Sequence, residues 1–273
     1  MAWTETTRAH YRRAGAGYAS DLTDAEWEAL AAVLPHSRLG RPARHPRRTM
    51  LNAILYLLWT GCPWRGLPRE FPPRSTVQSL FYRWRDDGTW SWISIRLVRL
   101  GRVSQGRAAV PTVGVIDSSS VRTGENAGPR GYDAGKKIKG RKRHIVTDTQ
   151  GHLLVAQVHP ADIQDCHGAV PLLTALGRRF PGLRHIFADR VYRGPQLPAA
   201  LADTGPWTIE IVQRPKGVKG FQLLPRRWVV ERSFAWFERS RRLAKDFEAT
   251  TESAAAWLHL ASIKLEIRRL ARH

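Results

Sequence analysis

Two short apolar runs in this chain each terminate on an aspartate: Val113-Gly114-Val115-Ile116-Asp117 and His185-Ile186-Phe187-Ala188-Asp189. Both read as buried strands, and a buried strand fixes the backbone of the acid at its end. A lone glutamate, Glu231, sits inside a helical stretch crowded with arginine and aromatic residues, Arg226-Arg227-Trp228-Val229-Val230-Glu231-Arg232-Ser233-Phe234-Ala235-Trp236-Phe237. The chain carries 44 Lys+Arg against 23 Asp+Glu, a formal net charge of +21. Three carboxylates placed where strands and a helix converge are costly to bury and call for a function.

A field of that sign attracts polyanions, so nucleic acid is the partner that composition points to. The basic surplus is mostly arginine, whose planar fork suits phosphates and base edges. An acidic membrane is the rival, but no run of about 18 apolar residues is present to span a bilayer. Met1 to Ser20 lacks the apolar centre of a secretory signal and reads as a flexible basic arm. Cys62 and Cys166 form no CxxC or Cys/His pattern, and both are expected to be reduced in a cytoplasmic, nucleoid-associated protein. With 42% hydrophobic residues the chain buries a substantial core.

Residues 21–105 read as an all-helical unit with helix-turn-helix flavour. Thr23 or Asp24 caps a first helix that Pro35 stops. A basic linker at 36–48 holds Arg38, Arg41, Arg44, Arg47 and Arg48 with no acid. Further helices are expected over 49–60, from Ser75 through Trp84, and over 90–102. From residue 111 the pattern turns to strands: 112–117, 143–149, 153–158, 184–189 and 207–213, with Gln150-Gly151 as a hairpin turn served by Asp148. Helices are expected over 166–179, 194–203, 226–243 and 252–271. Three strands in succession, then helix, strand, helix, strand and helix, make a mixed α/β layout for residues 111–273.

Carboxylates are the hard oxygen ligands that divalent metal chemistry on a phosphodiester needs, shared between two ions roughly 3.5–4 Å apart. One ion would activate the attacking water or hydroxyl and the other would stabilise the leaving oxygen. Plainer roles exist for each acid. An aspartate after a strand also caps the next loop or helix, and Arg227, four residues before Glu231, has the spacing of a helix ion pair.

Several motifs, taken in order, resemble bacterial insertion-sequence transposases with an Asp-Asp-Glu site, in particular the compact insertion-sequence family five. They are Val115-Ile116-Asp117-Ser118-Ser119-Ser120-Val121, Phe187-Ala188-Asp189-Arg190-Val191-Tyr192-Arg193-Gly194, Arg227-Trp228-Val229-Val230-Glu231-Arg232 and Arg241-Arg242-Leu243. Leu22-Thr23-Asp24-Ala25-Glu26-Trp27 and Gly61-Cys62-Pro63-Trp64-Arg65-Gly66-Leu67-Pro68 are similar to the helical N-terminal domain of those proteins. The resemblance covers roughly residues 21–270. It implies a ribonuclease H-like catalytic fold, two Mg²⁺ ions (with Mn²⁺ able to substitute), and strand transfer of a mobile DNA element. Carried over by position, Asp117, Asp189 and Glu231 are the catalytic and metal-binding acids, and Arg227 is the arginine four before the glutamate. The family's tyrosine three residues further upstream is Leu224 here, and its basic residue seven after the glutamate falls on Glu238, with Arg239 following.

DNA contacts are expected from Arg44, Arg47, Arg48 and Arg83 in the helical unit, with Arg74 and Arg85 nearby. The run Lys136, Lys137, Lys139, Arg141, Lys142 and Arg143 is expected as a phosphate-contacting loop, and Arg227, Arg239 and Arg242 as grips around the Glu231 helix. Val230, Phe234 and Phe237 read as the core face of that helix, and Trp59, Trp64 and Trp84 as core. The expected partner is double-stranded DNA, namely the element's terminal inverted repeats and its target, with a homodimer assembled on DNA and no membrane. Two rivals stay open: a transposase-derived DNA-binding protein without catalysis, and a structure-specific nuclease of the same fold.

Overall fold

The computed structural model describes residues 17–35, 44–125, 127–202, 204, 207–212 and 227–272. The expected arm up to residue 16, the linker residues Arg38 and Arg41, and Leu224 and Arg226 lie outside the described residues.

The chain begins with four helices. Thr23 caps α1 (Asp24–Ala31): its hydroxyl accepts the Glu26 N–H at 3.2 Å, while the Glu26 carboxylate accepts the Thr23 N–H at 3.0 Å, a reciprocal capping box. The apolar α2 (Arg47–Thr60) ends at Gly61, whose φ of 69° is left-handed. A Cβ there would also stand 3.0 Å from the Arg241 backbone, so a larger residue would add strain and have to displace that neighbour. After a 3₁₀ turn at Trp64–Gly66 come α3 (Arg74–Asp86) and α4 (Thr89–Ser104).

The sheet follows: β1 (Val113–Arg122), β2 (Gly131–Asp133), β3 (Ile138–Asp148) and β4 (Leu153–Pro160), then α5 (Asp165–Arg179), β5 (His185–Ala188), α6 (Gln196–Ala200) and β6 (Thr208–Ile211). The last elements are α7 (Arg227–Glu238), a 3₁₀ turn at Arg241–Leu243, and α8 (Thr251–Leu270). Strand order is β2–β3–β1–β5–β6, with β4 also on β3. β2 and β4 share one edge of β3, pairing with residues 138–140 and 141–147 respectively. The first four strands pair antiparallel, and β5 joins β1, then β6 joins β5, in parallel. This curled mixed sheet flanked by helices is ribonuclease H-like.

Strand alternation sorts the two faces. Ile116, Val146 and Leu154 pack with Leu172, Leu173 and Leu176 of α5. Val115, Ile145, Leu153 and Phe187 face the other way, onto Val230, Phe234 and Phe237 of α7 and onto α8. The same core continues without a break into the N-terminal helices, where Phe81 stacks on Trp257 of α8 at 4.5 Å between centroids. Residues 21–105 and 111–273 therefore meet in one apolar cluster, with α8 as the shared wall.

Several bounds differ from the sequence expectation. β1 runs five residues past Asp117 and β3 starts at Ile138 instead of 143, because the two strands hold each other from Gly114↔Asp148 to Arg122↔Gly140 regardless of how polar the residues are. The short β2 carries no alternation to announce it. The helix expected over 226–243 is described from Arg227 and breaks after Glu238 into the 3₁₀ turn. Asp148 does serve the Gln150-Gly151 turn, accepting the N–H groups of Gln150 (2.8 Å) and His152 (3.0 Å), and it also pairs with Arg102.

Candidate active site and nucleic-acid surface

β1 and β5 run parallel, with Val113 opposite His185 and Val115 opposite Phe187. Continuing that register by two residues sets Asp117 level with Asp189, both on the face that carries α7. Asp117 lies in the middle of β1, whereas Asp189 follows the last residue of β5. Helix α7 packs on β1 and presents Glu231 toward the same place, and the Arg227 guanidinium closes the group. One of its nitrogens lies 3.0 Å from Asp189 and 3.3 Å from Glu231, and its charge also acts on Asp117.

The plain roles coexist with this convergence. Asp189 caps the 3₁₀ turn Arg190–Tyr192 by accepting the Arg190 N–H, and Arg227–Glu231 is an i,i+4 ion pair. The donor set suits a hard divalent cation, being carboxylate oxygens held on two adjacent strands and a helix. Among the described residues, however, no three such side chains stand close enough to hold an ion. A guanidinium placed between two of the acids accounts for that: it supplies the positive charge they need and fills the space.

Burial raises the Asp117 carboxyl from 3.8 to about 6, against the opposing pull of the Ser118 N–H, Arg227 and Lys136, while Asp189 pushes it further up. A carboxyl whose folded-state pKa exceeds its unfolded value binds its proton more tightly when folded. Folding is then penalised as pH rises from about 4 through about 6. Asp117→Asn, measured in chelator, should therefore raise the melting temperature at pH 7.5, with the gain shrinking as pH falls through 6 toward 4. A gain of constant size across that range would show that ionisation of Asp117 is not the cause.

Behind Asp189 lies a buried hydrogen-bond chain whose direction is fixed. His159 Nδ1 is 2.9 Å from the Pro160 carbonyl, which only accepts, so Nδ1 carries the proton and Nε2 is an acceptor. His144 Nδ1, 3.3 Å from His159 Nε2, must then donate, which leaves His144 Nε2 to accept the Tyr192 hydroxyl at 2.7 Å. Burial lowers His144 to about 3, and His159 is lowered also, so both rings stay neutral at physiological pH. The chain pins the turn that Asp189 caps. Tyr192→Phe would leave His144 Nε2 buried without a donor, a cost of about 1–3 kcal/mol. An unchanged midpoint in denaturant unfolding would contradict it.

The expected cationic contacts divide by location. Arg44, Arg47 and Arg83 line one cavity of about 510 Å³ between α2 and α3, together with Ser75, Thr76 and Ser79. Arg48 instead ties α2 to α1, lying 2.6 Å from Asp24 and donating to the Leu22 carbonyl at 2.7 Å. Lys136, Lys137 and Lys139 are exposed. Lys136 Nζ donates to the Ser118 carbonyl at 3.2 Å, which brings it into the Asp117 site. Lys137 and Lys139 line a basic cavity of about 460 Å³ with Arg122, Arg130 and Lys245.

The rest of that run is corrected. Arg141, Lys142 and Arg143 are buried in β3, an inner strand between β1 and β4, and not in a loop. Arg141 pairs with Asp246 at 3.1 Å, Lys142 with Asp165 at 3.2 Å, and Arg143 donates to the Leu243 carbonyl at 2.6 Å. Arg242 is likewise buried, bound to Glu248 at 2.6 Å and lying over Trp257. These four are internal cations with committed partners. Arg239 is exposed. Trp84 is buried and Trp64 packs against the core, but Trp59 is 39% exposed, contrary to expectation. His144, His159 and Tyr192 had no sequence signal as a group, since only the pairing of β3 with β4 and the turn after β5 bring them together.

The site is thus an acidic group set level across two parallel strands of a ribonuclease H-like sheet, within a strongly basic chain. The family model for the transposase DDE domain matches residues 108–263, more than half of the sequence, and the chain belongs to that family. Residues 22–94 match a second model, described as putative transposase of the IS4/5 family. A putative transposase for insertion sequence element IS402 from Burkholderia cepacia is 35% identical over 129 residues, covering 44% of this chain and 60% of that protein. An uncharacterized protein, y4sN, from Sinorhizobium fredii (strain NBRC 101917 / NGR234) is 32% identical over 68 residues, covering 24% of this chain and 54% of its own length. The chain therefore spans little more than half the length of these curated relatives. No helix among the described residues is long and apolar enough to cross a membrane.

Proposed function

We propose that the protein cleaves DNA at the ends of an insertion sequence and joins those ends to target DNA, using Asp117, Asp189 and Glu231 as its catalytic acids. The observation that carries this reading is Arg227: a single guanidinium touches Asp189 and Glu231 and acts on Asp117, so acids distant in the chain share one electrostatic site. Bound there, two Mg²⁺ (or Mn²⁺) ions would supply an activated water or 3′-hydroxyl and neutralise the leaving oxygen. The three carboxylates would hold them once Arg227 turns outward, where its charge can meet a DNA phosphate. Lys136 stands beside Asp117 and would grip the backbone next to the scissile bond. The helical unit, residues 21–105, would read the terminal repeats, with Arg44, Arg47 and Arg83 along one groove. Two ends must be brought together, which makes a homodimer on DNA the working assembly.

Arg227 also favours a second reading, a DNA-binding protein without catalysis, because a fixed guanidinium would keep cations out. A nicking assay on duplexes from the DNA flanking the gene separates the two. The catalytic reading expects nicks at inverted repeats with Mg²⁺ and none in chelator. Tight binding with no nicks in Mg²⁺ or Mn²⁺ would leave only the second reading.

A further inference from the structure

Trp228, Arg232 and Trp236 recur along α7 at helical spacing, Arg239 follows in the turn just past its end, and together they form one stripe beside that of Arg227 and Glu231. The Arg232 guanidinium lies 4.2 Å from the Trp228 ring centroid and 4.5 Å from that of Trp236, and Arg269 of α8 lies over Trp236 at 5.1 Å. The stripe leads into a cavity of about 580 Å³ among α2, α7 and α8, lined by Trp59, Trp236, Arg239, Lys264, Arg269 and Arg272 among others. Lys264 stands over Trp59 at 4.3 Å. No acidic residue is among the described residues lining the cavity. Carboxylates outside the lining also reach its cations: Glu266 lies 2.9 Å from Arg269, and Glu26 lies 3.6 Å from Arg268.

An indole face orients a cation without cancelling its charge, unlike a carboxylate. Arg232 and Arg269 flank the same ring, and burial, with the charge of Arg269 second, lowers the Arg232 pKa. Arg269 keeps its Glu266 partner, while Arg232 has only indole faces and the Gln150 carbonyl beside it among the contacts described, and a nearby anion would offset its charge. The indoles already carry cations on their faces, so what the cavity offers a ligand is charge, which suits a phosphate better than a stacked base.

We infer that this cavity is a second phosphate site, which takes the backbone of the duplex as it continues away from the bond held at Asp117, Asp189 and Glu231. The placement rests on the proposed function. Arg239 is eight residues beyond Glu231, about 12 Å along a helix rising 1.5 Å per residue. That distance corresponds to about three or four base pairs of duplex at 3.4 Å per step.

The test is fluorescence anisotropy of the full chain with a labelled 30-base-pair duplex across a KCl series. The double variant Arg239→Ala/Arg272→Ala is compared with Arg96→Ala/Arg99→Ala, an equal charge loss on the outer face of α4, where Arg96 also lies over an indole, Trp92. Each phosphate contact contributes about 0.9 to the salt slope, so the cavity variant should lose about 1.8 in slope and bind about 60-fold more weakly at 0.1 M KCl. The α4 variant should keep the wild-type slope. Equal losses in both variants would mean only the general field of a basic chain and would overturn the site, as would an unchanged slope in the cavity variant. If the slopes fall as expected but the wild type never nicks DNA, the catalytic reading fails and the phosphate site stands.

Discussion

Asp117→Ala, Asp189→Ala and Glu231→Ala should each reduce metal-dependent nicking by about a thousandfold or more, while duplex affinity should stay within a few-fold of wild type. Loss of any one acid would remove a proposed metal ligand from a site whose cations among the described residues include Arg227 and Lys136, neither of which can replace a carboxylate oxygen. Binding survives because each variant makes a basic surface less negative. Glu231→Ala is the cleanest of the three: its carboxylate is 56% exposed and its partner is Arg227, so folding depends little on it. Asp117→Ala should, if anything, stabilise the apoprotein by removing a desolvated carboxylate. Full nicking activity in all three variants would end the assignment, and a loss of folding in the Glu231 variant would remove its value as evidence.

Arg141→Ala should lower stability by about 3–5 kcal/mol, because it strands a buried carboxylate. The Arg141 and Asp246 side chains are 0% and 1% exposed, and Arg141 also donates to the Pro129 carbonyl at 2.8 Å and the Thr250 carbonyl at 3.3 Å. It fastens β3 to the segment that leads into α8, so its loss should be felt across the shared core. At about 2–4 °C per kcal/mol for a chain of this size, the melting temperature should fall by about 10 °C. The same variant decides between two fates for this cation. A phosphate-contacting arginine would give a lower salt slope at unchanged melting temperature, whereas an internal clamp gives the reverse. A melting temperature within a degree of wild type would refute the clamp.

The candidate acids stood out in the sequence because their signal is local. An apolar run that ends on Asp117 or Asp189 needs only the strand pattern, and the ordered motifs around them are matched by the family model over residues 108–263. The capping box of α1, the role of Asp148 in its turn and the inward face of α7 at Val230, Phe234 and Phe237 were equally legible, each depending on residues within one or two turns. The cationic run at 136–143 was not. Charge counts cannot show that β3 passes between β1 and β4, so the run divides at Gly140, with its lysines at 136, 137 and 139 outside and Arg141, Lys142 and Arg143 inside. Partners such as Asp246 and Asp165 lie 105 and 23 positions away, and no periodicity connects them.

By itself, then, the sequence determined the order of the strands and helices apart from β2 and the sign of the net charge, and it singled out three candidate acids, all from composition and near-neighbour spacing. Tertiary structure decided which cations meet solvent, that Arg227 lies against two of the three acids, that a neutral His159–His144–Tyr192 chain stands behind Asp189, and that α8 joins the helical unit to the sheet. Those outcomes depend on burial and on the pairing of residues remote in the chain. The free energy of a charge is set by what surrounds it in space, and the linear order of residues does not contain that information.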